Sequence, residues 1–169
     1  KKDDFKDLDL DKNKFSKKKN LIFETDLELM FPNDFINFSQ ERLNLYNKLN
    51  KISSVDELEE FKLELTDRFG KLPDIVEELL KSIELRWIST DLGFEKIVLK
   101  KQMLLAYVKD FENNSQKKSL EKIFKYSKKN NSLISFSQKK TADGERFIIK
   151  LVDIDSVSKA IKVLNDINN

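Results

Sequence analysis

Between Leu21 and Phe31 the chain alternates, with Leu21, Phe23, Leu27, Leu29 and Phe31 on one side and Glu24, Asp26 and Glu28 on the other. A period of two is the pattern of a half-buried strand, here with an acidic outer face. Pro32, Asn33 and Asp34 break it, and Phe35, Ile36 and Phe38 form an apolar plug before a helix. Ser39 can cap that helix, which carries Leu43, Tyr46, Leu49 and Ile52 on one stripe. Ser54 and Glu57 stand three apart as a capping box requires, so a second helix starts there, with an acidic first turn that suits the helix dipole. Val55, Leu58, Phe61, Leu65 and Phe69 form its inner stripe, and Leu63 adds an apolar contact near its end. It stops at Gly70, a residue type that takes positive φ without a Cβ clash. Pro73 fits the first position of a third helix reaching about Leu92, with Val76, Leu79, Leu80, Ile83 and Trp87 inward and Gly93 as its stop.

After Gly93 the period changes. Phe94–Leu99 and Met103–Val108 read as a hairpin about Lys100, Lys101 and Gln102. Lys117–Lys129 carries Leu120, Ile123 and Phe124 at helical spacing. Leu133–Ser137 and Arg146–Leu151 form a second hairpin, whose loop holds Asp143–Gly144, a dipeptide suited to positive φ. Asp155 can cap a last helix with Val157, Ala160, Ile161, Leu164 and Ile167 inward. The expected fold class is α+β: an N-terminal strand plus a three-helix lobe over 21–93, packed with a ββαββα lobe over 94–169 containing an antiparallel sheet. The pattern leaves open whether that sheet continues into the strand at Leu21. Residues 1–20 set Phe5, Leu8, Leu10 and Phe15 among lysines and aspartates, too few apolar points to pack alone, and read as a flexible lead-in or linker.

Composition narrows the chemistry. With 169 residues the chain is long enough to bury roughly 70% of its unfolded surface. It has no Cys and no His, which removes disulfides, thiolate metal sites, the usual zinc ligand and the usual general base. No apolar run approaches the roughly 20 residues of a membrane span, and no signal-peptide core opens the chain, so a cytoplasmic protein is expected. A start at Lys1 rather than Met reads as a piece of a longer polypeptide. Gly70, Gly93 and Gly144 are isolated and no Gly-x-x-x-x-Gly-Lys occurs, so no nucleotide cofactor is expected. Among 30 acidic residues chance carboxylate pairs are certain, and nothing marks one for acid–base work, so a non-catalytic domain is expected.

Two charged surfaces remain as candidates. The 32 basic residues nearly balance the acidic ones, so there is no global positive field. Within the helix at 117–129, Lys118, Lys122, Lys125 and Lys129, with Tyr126 nearby, are candidate nucleic-acid contacts. A solvated face explains the same run, and arginine, the better phosphate ligand, occurs only at Arg42, Arg68, Arg86 and Arg146. On the second helix Asp56, Glu57, Glu59, Glu60, Glu64 and Asp67 outweigh Lys62 and Arg68, and Glu64 and Asp67 share a face. These charges serve either as a solvated surface, with Asp67 and Arg68 tying down free backbone ends, or as a docking surface for a basic patch.

The stretch Glu64–Leu80, ELTDRFGKLPDIVEELL, resembles the signature of the C-terminal domain of bacterial transcription-repair coupling factors. ETDLELMFPNDFI (Glu24–Ile36) resembles that family's strand and aromatic-rich plug, QERLNLYNKL (Gln40–Leu49) its first helix, and LGFEKIVL (Leu92–Leu99) its first hairpin strand. The resemblance covers about residues 21–108. It implies the terminal regulatory domain of an ATP-dependent DNA translocase that removes stalled RNA polymerase and recruits nucleotide excision repair. Such a domain docks on the repair-enzyme-like module of its own polypeptide and masks the surface that recruits the damage-recognition subunit. By the same resemblance Glu64, Asp67 and Arg68 are partner-binding residues, with the carboxylates meeting arginines. RNA polymerase and DNA are then reached through the parent protein, with no membrane partner. The alternatives are a nucleic-acid-binding module using the basic helix, or a structural cap for the motor.

Overall fold

A computed structural model of the chain describes residues 21–169, and the lead-in expected over 1–20 lies outside the described residues. The elements run β1 (Ile22–Thr25), α1 (Ser39–Asn50), α2 (Val55–Phe69), α3 (Asp74–Asp91), β2 (Lys96–Lys100), β3 (Met103–Val108), α4 (Asn114–Lys129), β4 (Ile134–Thr141), β5 (Gly144–Val152) and α5 (Val157–Asn168). The class is α+β. Two compact units are present: Glu28–Ile83, which is helical, and a sheet unit made of residues 21–27 with Glu84–Asn169.

In the helical unit, Tyr46 is fully buried. Its hydroxyl accepts the Phe31 N–H at 2.8 Å and its ring lies against that of Phe31. Arg42, a buried cation, donates to the carbonyls of Ile36 at 2.7 Å and Asn37 at 3.2 Å, satisfying loop acceptors that no helix could. Once Tyr46 and Leu49 fix the inner face of α1, the positions that fill it are 42 and 45, so Leu43 is exposed. Phe38 is also outside the core at 76% exposure, and it rather than Ser39 occupies the cap position, without a side-chain cap bond. The strand at Ile22 stops at Thr25; Leu29 and Phe31 are buried as loop residues.

The start of α2 is as the sequence predicts. Ser54 Oγ accepts the Glu57 N–H, and the Glu57 carboxylate accepts the N–H of Ser53, one residue ahead of the cap. Ser54→Ala is expected to cost about 1 kcal/mol in a urea unfolding titration. Leu58, Phe61 and Leu65 form the buried stripe, while Val55 and Leu63 are exposed and Phe69 is half-buried. Gly70 ends the helix at φ 90. Pro73 sits one position earlier than expected, its carbonyl accepting the N–H groups of Val76 and Glu77 as a cap residue does. At the far end of α3, Phe94 N–H bonds Ser89 O and Gly93 N–H bonds Thr90 O, a Schellman closure with Gly93 at φ 82. Leu85 is fully buried on this helix, whereas Ile83 and Trp87 are half-buried.

The sheet unit has strand order β1-β2-β3-β5-β4. β1 pairs parallel with β2, and every other pairing is antiparallel, so the strand at Ile22 extends this sheet. Alternation puts Phe23, Ile97, Leu99, Leu104, Ala106, Ile149 and Leu151 on one face, all buried. Phe124 of α4 meets Phe136 and Phe147 on that face, and α5 packs beside α4. The cap of α5 is Ser156, whose Oγ accepts the Lys159 N–H at 3.0 Å, rather than Asp155. Ile161 is half-buried on its flank.

Lys100 pairs with Met103, leaving a two-residue turn in which Lys101 and Gln102 take φ of 52 and 58. That is the type I′ geometry, usually left to Asn and Gly. The Asp26 carboxylate accepts the Lys101 N–H at 3.0 Å, and the Gln102 carbonyl accepts the Ile154 N–H at 2.9 Å. In the second hairpin Gly144, paired with Thr141, takes the positive φ of 112.

Candidate docking surface

Because α2 buries Leu58, Phe61 and Leu65, its opposite side carries Asp56, Glu60, Leu63 and Asp67 at spacings of four, three and four. That spacing makes a single solvent-facing stripe. Glu59 lies alongside it. Leu63 is 69% exposed at the centre of this acidic strip. Lys62, the cation nearest in sequence, is turned toward Glu77 at 3.9 Å.

The three residues singled out by resemblance are not equivalent. Glu64 lies on the flank facing α1, paired with Lys48 and standing 3.7 Å from Arg68. Arg68 pairs with Glu41 and lies 4.8 Å from the ring centroid of Phe69, which in turn meets Phe35. Glu64 and Arg68 thus belong to a network linking α1 to α2. Asp67 forms no ion pair among the described residues and is exposed beside Leu63. By residue type Leu63 belongs among the apolar contacts of the helix end. The sign against that was local: Leu63 falls off the stripe set by Phe61 and Leu65, with carboxylates at i−4, i−3 and i+4.

On α4, Lys118, Lys122, Lys125 and Lys129 are exposed along one stripe, with Lys122 Nζ donating to Asn168 Oδ1 at 3.0 Å. Burial, and then the nearby Asp166 carboxylate, push the Tyr126 phenol above its ordinary range, so it stays protonated. A cleft of about 350 Å³ beside the Lys101–Gln102 turn is lined by Asp26, Leu27, Leu99, Ile154 and Asp155, and its Asp26 carboxylate is already engaged by the turn. Among the described residues there is no cluster of three or more metal-ligating side chains and no helix long and apolar enough to cross a membrane.

A helical unit joined in sequence to a mixed five-stranded sheet, with an acidic, leucine-centred helix surface, defines an α+β domain whose distinctive chemistry is a charged exterior. The family model described as the TRCF domain matches residues 25–120, and the chain belongs to that family. It is 40% identical over 78 residues to the transcription-repair-coupling factor of Escherichia coli (strain K12), covering 44% of this chain and 7% of the relative. With that of Buchnera aphidicola subsp. Baizongia pistaciae it shares 30% identity over 113 residues, covering 67% of this chain and 16% of the relative. The chain therefore spans a small fraction of the length of these relatives. A crystal structure of the C-terminal domain of a transcription-repair coupling factor superposes with TM-score 0.65 at 16% identity, covering 90% of this chain and 94% of that one, a likeness of fold.

Proposed function

We propose that this chain is the C-terminal autoinhibitory domain of a transcription-repair coupling factor. It docks through the outward stripe of α2 on the repair-enzyme-like module of the same polypeptide, masks recruitment of the damage-recognition subunit, and restrains the DNA translocase. The observation that carries this reading is Leu63, exposed between Glu60 and Asp67. An apolar anchor within like-charged residues is suited to a basic surface with a recess: the carboxylates steer the encounter and the leucine supplies desolvated contact. Asp67 is the foremost charge. Glu64 also remains available, since an exposed ion pair such as its pair with Lys48 contributes only about 0–1 kcal/mol and an incoming arginine displaces it at little cost. Arg68 holds Glu64 and the end of α2 in place. The domain itself is cytoplasmic, non-catalytic and without a cofactor, and the motor, RNA polymerase and DNA contacts belong to the rest of the polypeptide.

Masking of this kind is a coupling between closed and open states, typically 1–3 kcal/mol. In the full-length protein, Leu63→Asp with Asp67→Arg is expected to raise affinity for the damage-recognition subunit by about fivefold or more, and basal ATPase with it. Both residues are exposed, so the thermal midpoint of the variant domain should not fall. Unchanged recruitment and ATPase in a folded variant would remove the docking role. A strongly salt-dependent DNA affinity of this chain, weakened by neutralising Lys122, Lys125 and Lys129, would move the function to α4.

A further inference from the structure

The sheet has a second face, and its central strand does not fit a solvated one. Antiparallel strands with one wet side alternate apolar and polar residues, whereas a continuous apolar run marks a strand covered on both sides. β3 reads Met-Leu-Leu-Ala-Tyr-Val. Leu104, Ala106 and Val108 are buried on the side that meets Phe124, and Met103, Leu105 and Tyr107 stand on the other, only half-buried. The helical segments of this unit are accounted for on the first side: Phe124 packs on Phe136 and Phe147, the Arg86 guanidinium lies 5.4 Å from the Phe23 ring centroid, and α5 lies beside α4.

Register turns the open face into a grid. Lys96, Val98 and Lys100 of β2 lie opposite Tyr107, Leu105 and Met103 of β3, which lie opposite Ile148, Lys150 and Val152 of β5; of these nine only Ile148 is buried, at 8% exposure. Lysines therefore flank an apolar central strand on both sides. β2 and β5 are two strand spacings apart, about 9.6 Å, which is close to the width of one α-helix. Lys96 lies over the Tyr107 ring at 5.4 Å to the centroid, and it and Lys100 approach Glu24 at 3.4 and 3.6 Å. Lys150 has no ion pair among the described residues. Ile22, 47% exposed on β1, extends the apolar area toward the sheet edge.

We infer that this face is a docking site for a single acidic amphipathic helix of another protein, lying along β3. Its apolar stripe covers Leu105, Tyr107 and Met103, and carboxylates on its two flanks meet Lys96 and Lys100 on one side and Lys150 on the other. A second copy of this face is a poor occupant, because it would set lysines against lysines. Nucleic acid is poorer still, since Tyr107 is the sole aromatic in the grid and apolar side chains outnumber cations. The inference concerns residues other than those of α2, so either proposal can fail without the other.

The test is an NMR titration of the chain with a synthetic helix of about 15 residues, leucines at three- and four-residue spacing flanked by glutamates, against the same peptide flanked by lysines. The glutamate peptide is expected to shift the amides of Val98, Leu105, Tyr107 and Lys150, and to bind at least about tenfold more tightly than the lysine peptide. Lys150→Glu, an exposed change that leaves the fold intact, should weaken it by a similar factor. Equal affinity for both peptides, absence of binding, or shifts confined to other elements would overturn the inference. So would a single-stranded oligonucleotide that shifts these amides when the glutamate peptide does not.

Discussion

Leu104→Ala is expected to lower the free energy of unfolding by about 2–5 kcal/mol, the range for deleting a fully buried leucine side chain. Leu104 lies on β3 between Leu99 and Leu151, so the lost volume has ordered strands on both sides and little freedom to collapse. At this chain length each kcal/mol moves the thermal midpoint by about 2–4 °C. The matched change one residue on, Leu105→Ala, points to the half-buried face and is expected to cost less than about 1.5 kcal/mol, because little apolar area leaves water there. Thermal or urea unfolding of the pair checks the orientation of the sheet. Equal losses at 104 and 105 would contradict the register.

Replacing the hairpin turn should act in the opposite direction. Lys101→Asn with Gln102→Gly is expected to stabilise the chain by about 1–2 kcal/mol. Both residues hold positive φ, which costs an ordinary L-residue about 1 kcal/mol or more in the left-handed region, and Asn-Gly removes most of that. The extra unfolded-state freedom of glycine offsets part of the gain. The bonds that hold the turn run through backbone atoms, Lys101 N–H to Asp26 and Ile154 N–H to the Gln102 carbonyl, and survive the change. Urea midpoints decide it: a less stable variant would mean that the side chains of Lys101 and Gln102 contribute more than the strain they impose.

Elements were legible wherever a local signal is also the physical cause. The Ser54 and Glu57 cap, the stops at Gly70 and Gly93, and the two hairpins are all set within a few residues, and all appear. What could not be read locally was tertiary. Leu43, Val55 and Leu63 look like core residues by type, but the inner face of each helix is chosen by its partners, which left them outside and brought Arg42 in. Asp155 and Ser156 are adjacent cap formers, and one residue of helix phase decided for Ser156. The candidate surface was legible as an acidic helix, because charge is written in the sequence. Its division was not: Lys48 and Glu41 lie on a different helix, and only their approach separates the engaged Glu64 and Arg68 from Asp67, which has no ion pair among the described residues.

The parallel pairing of β1 with β2 also has a consequence for how the chain reaches its native state. Ile22 pairs with Lys96, so the whole of Glu28–Ile83 is inserted between two neighbouring strands of one sheet. On the ribosome β1 emerges first and has no edge to join until β2 has been synthesised. Closing so long a connection as open coil costs entropy that grows with its length, and non-local pairings of this kind fold slowly. If the helical insertion folds first, it shortens the span that must close. Stability stored at Leu65 or Tyr46 then acts as a clock for the sheet, and a defect there would be felt as delayed capture of an N-terminal strand and a longer exposure of the β2 edge to other chains.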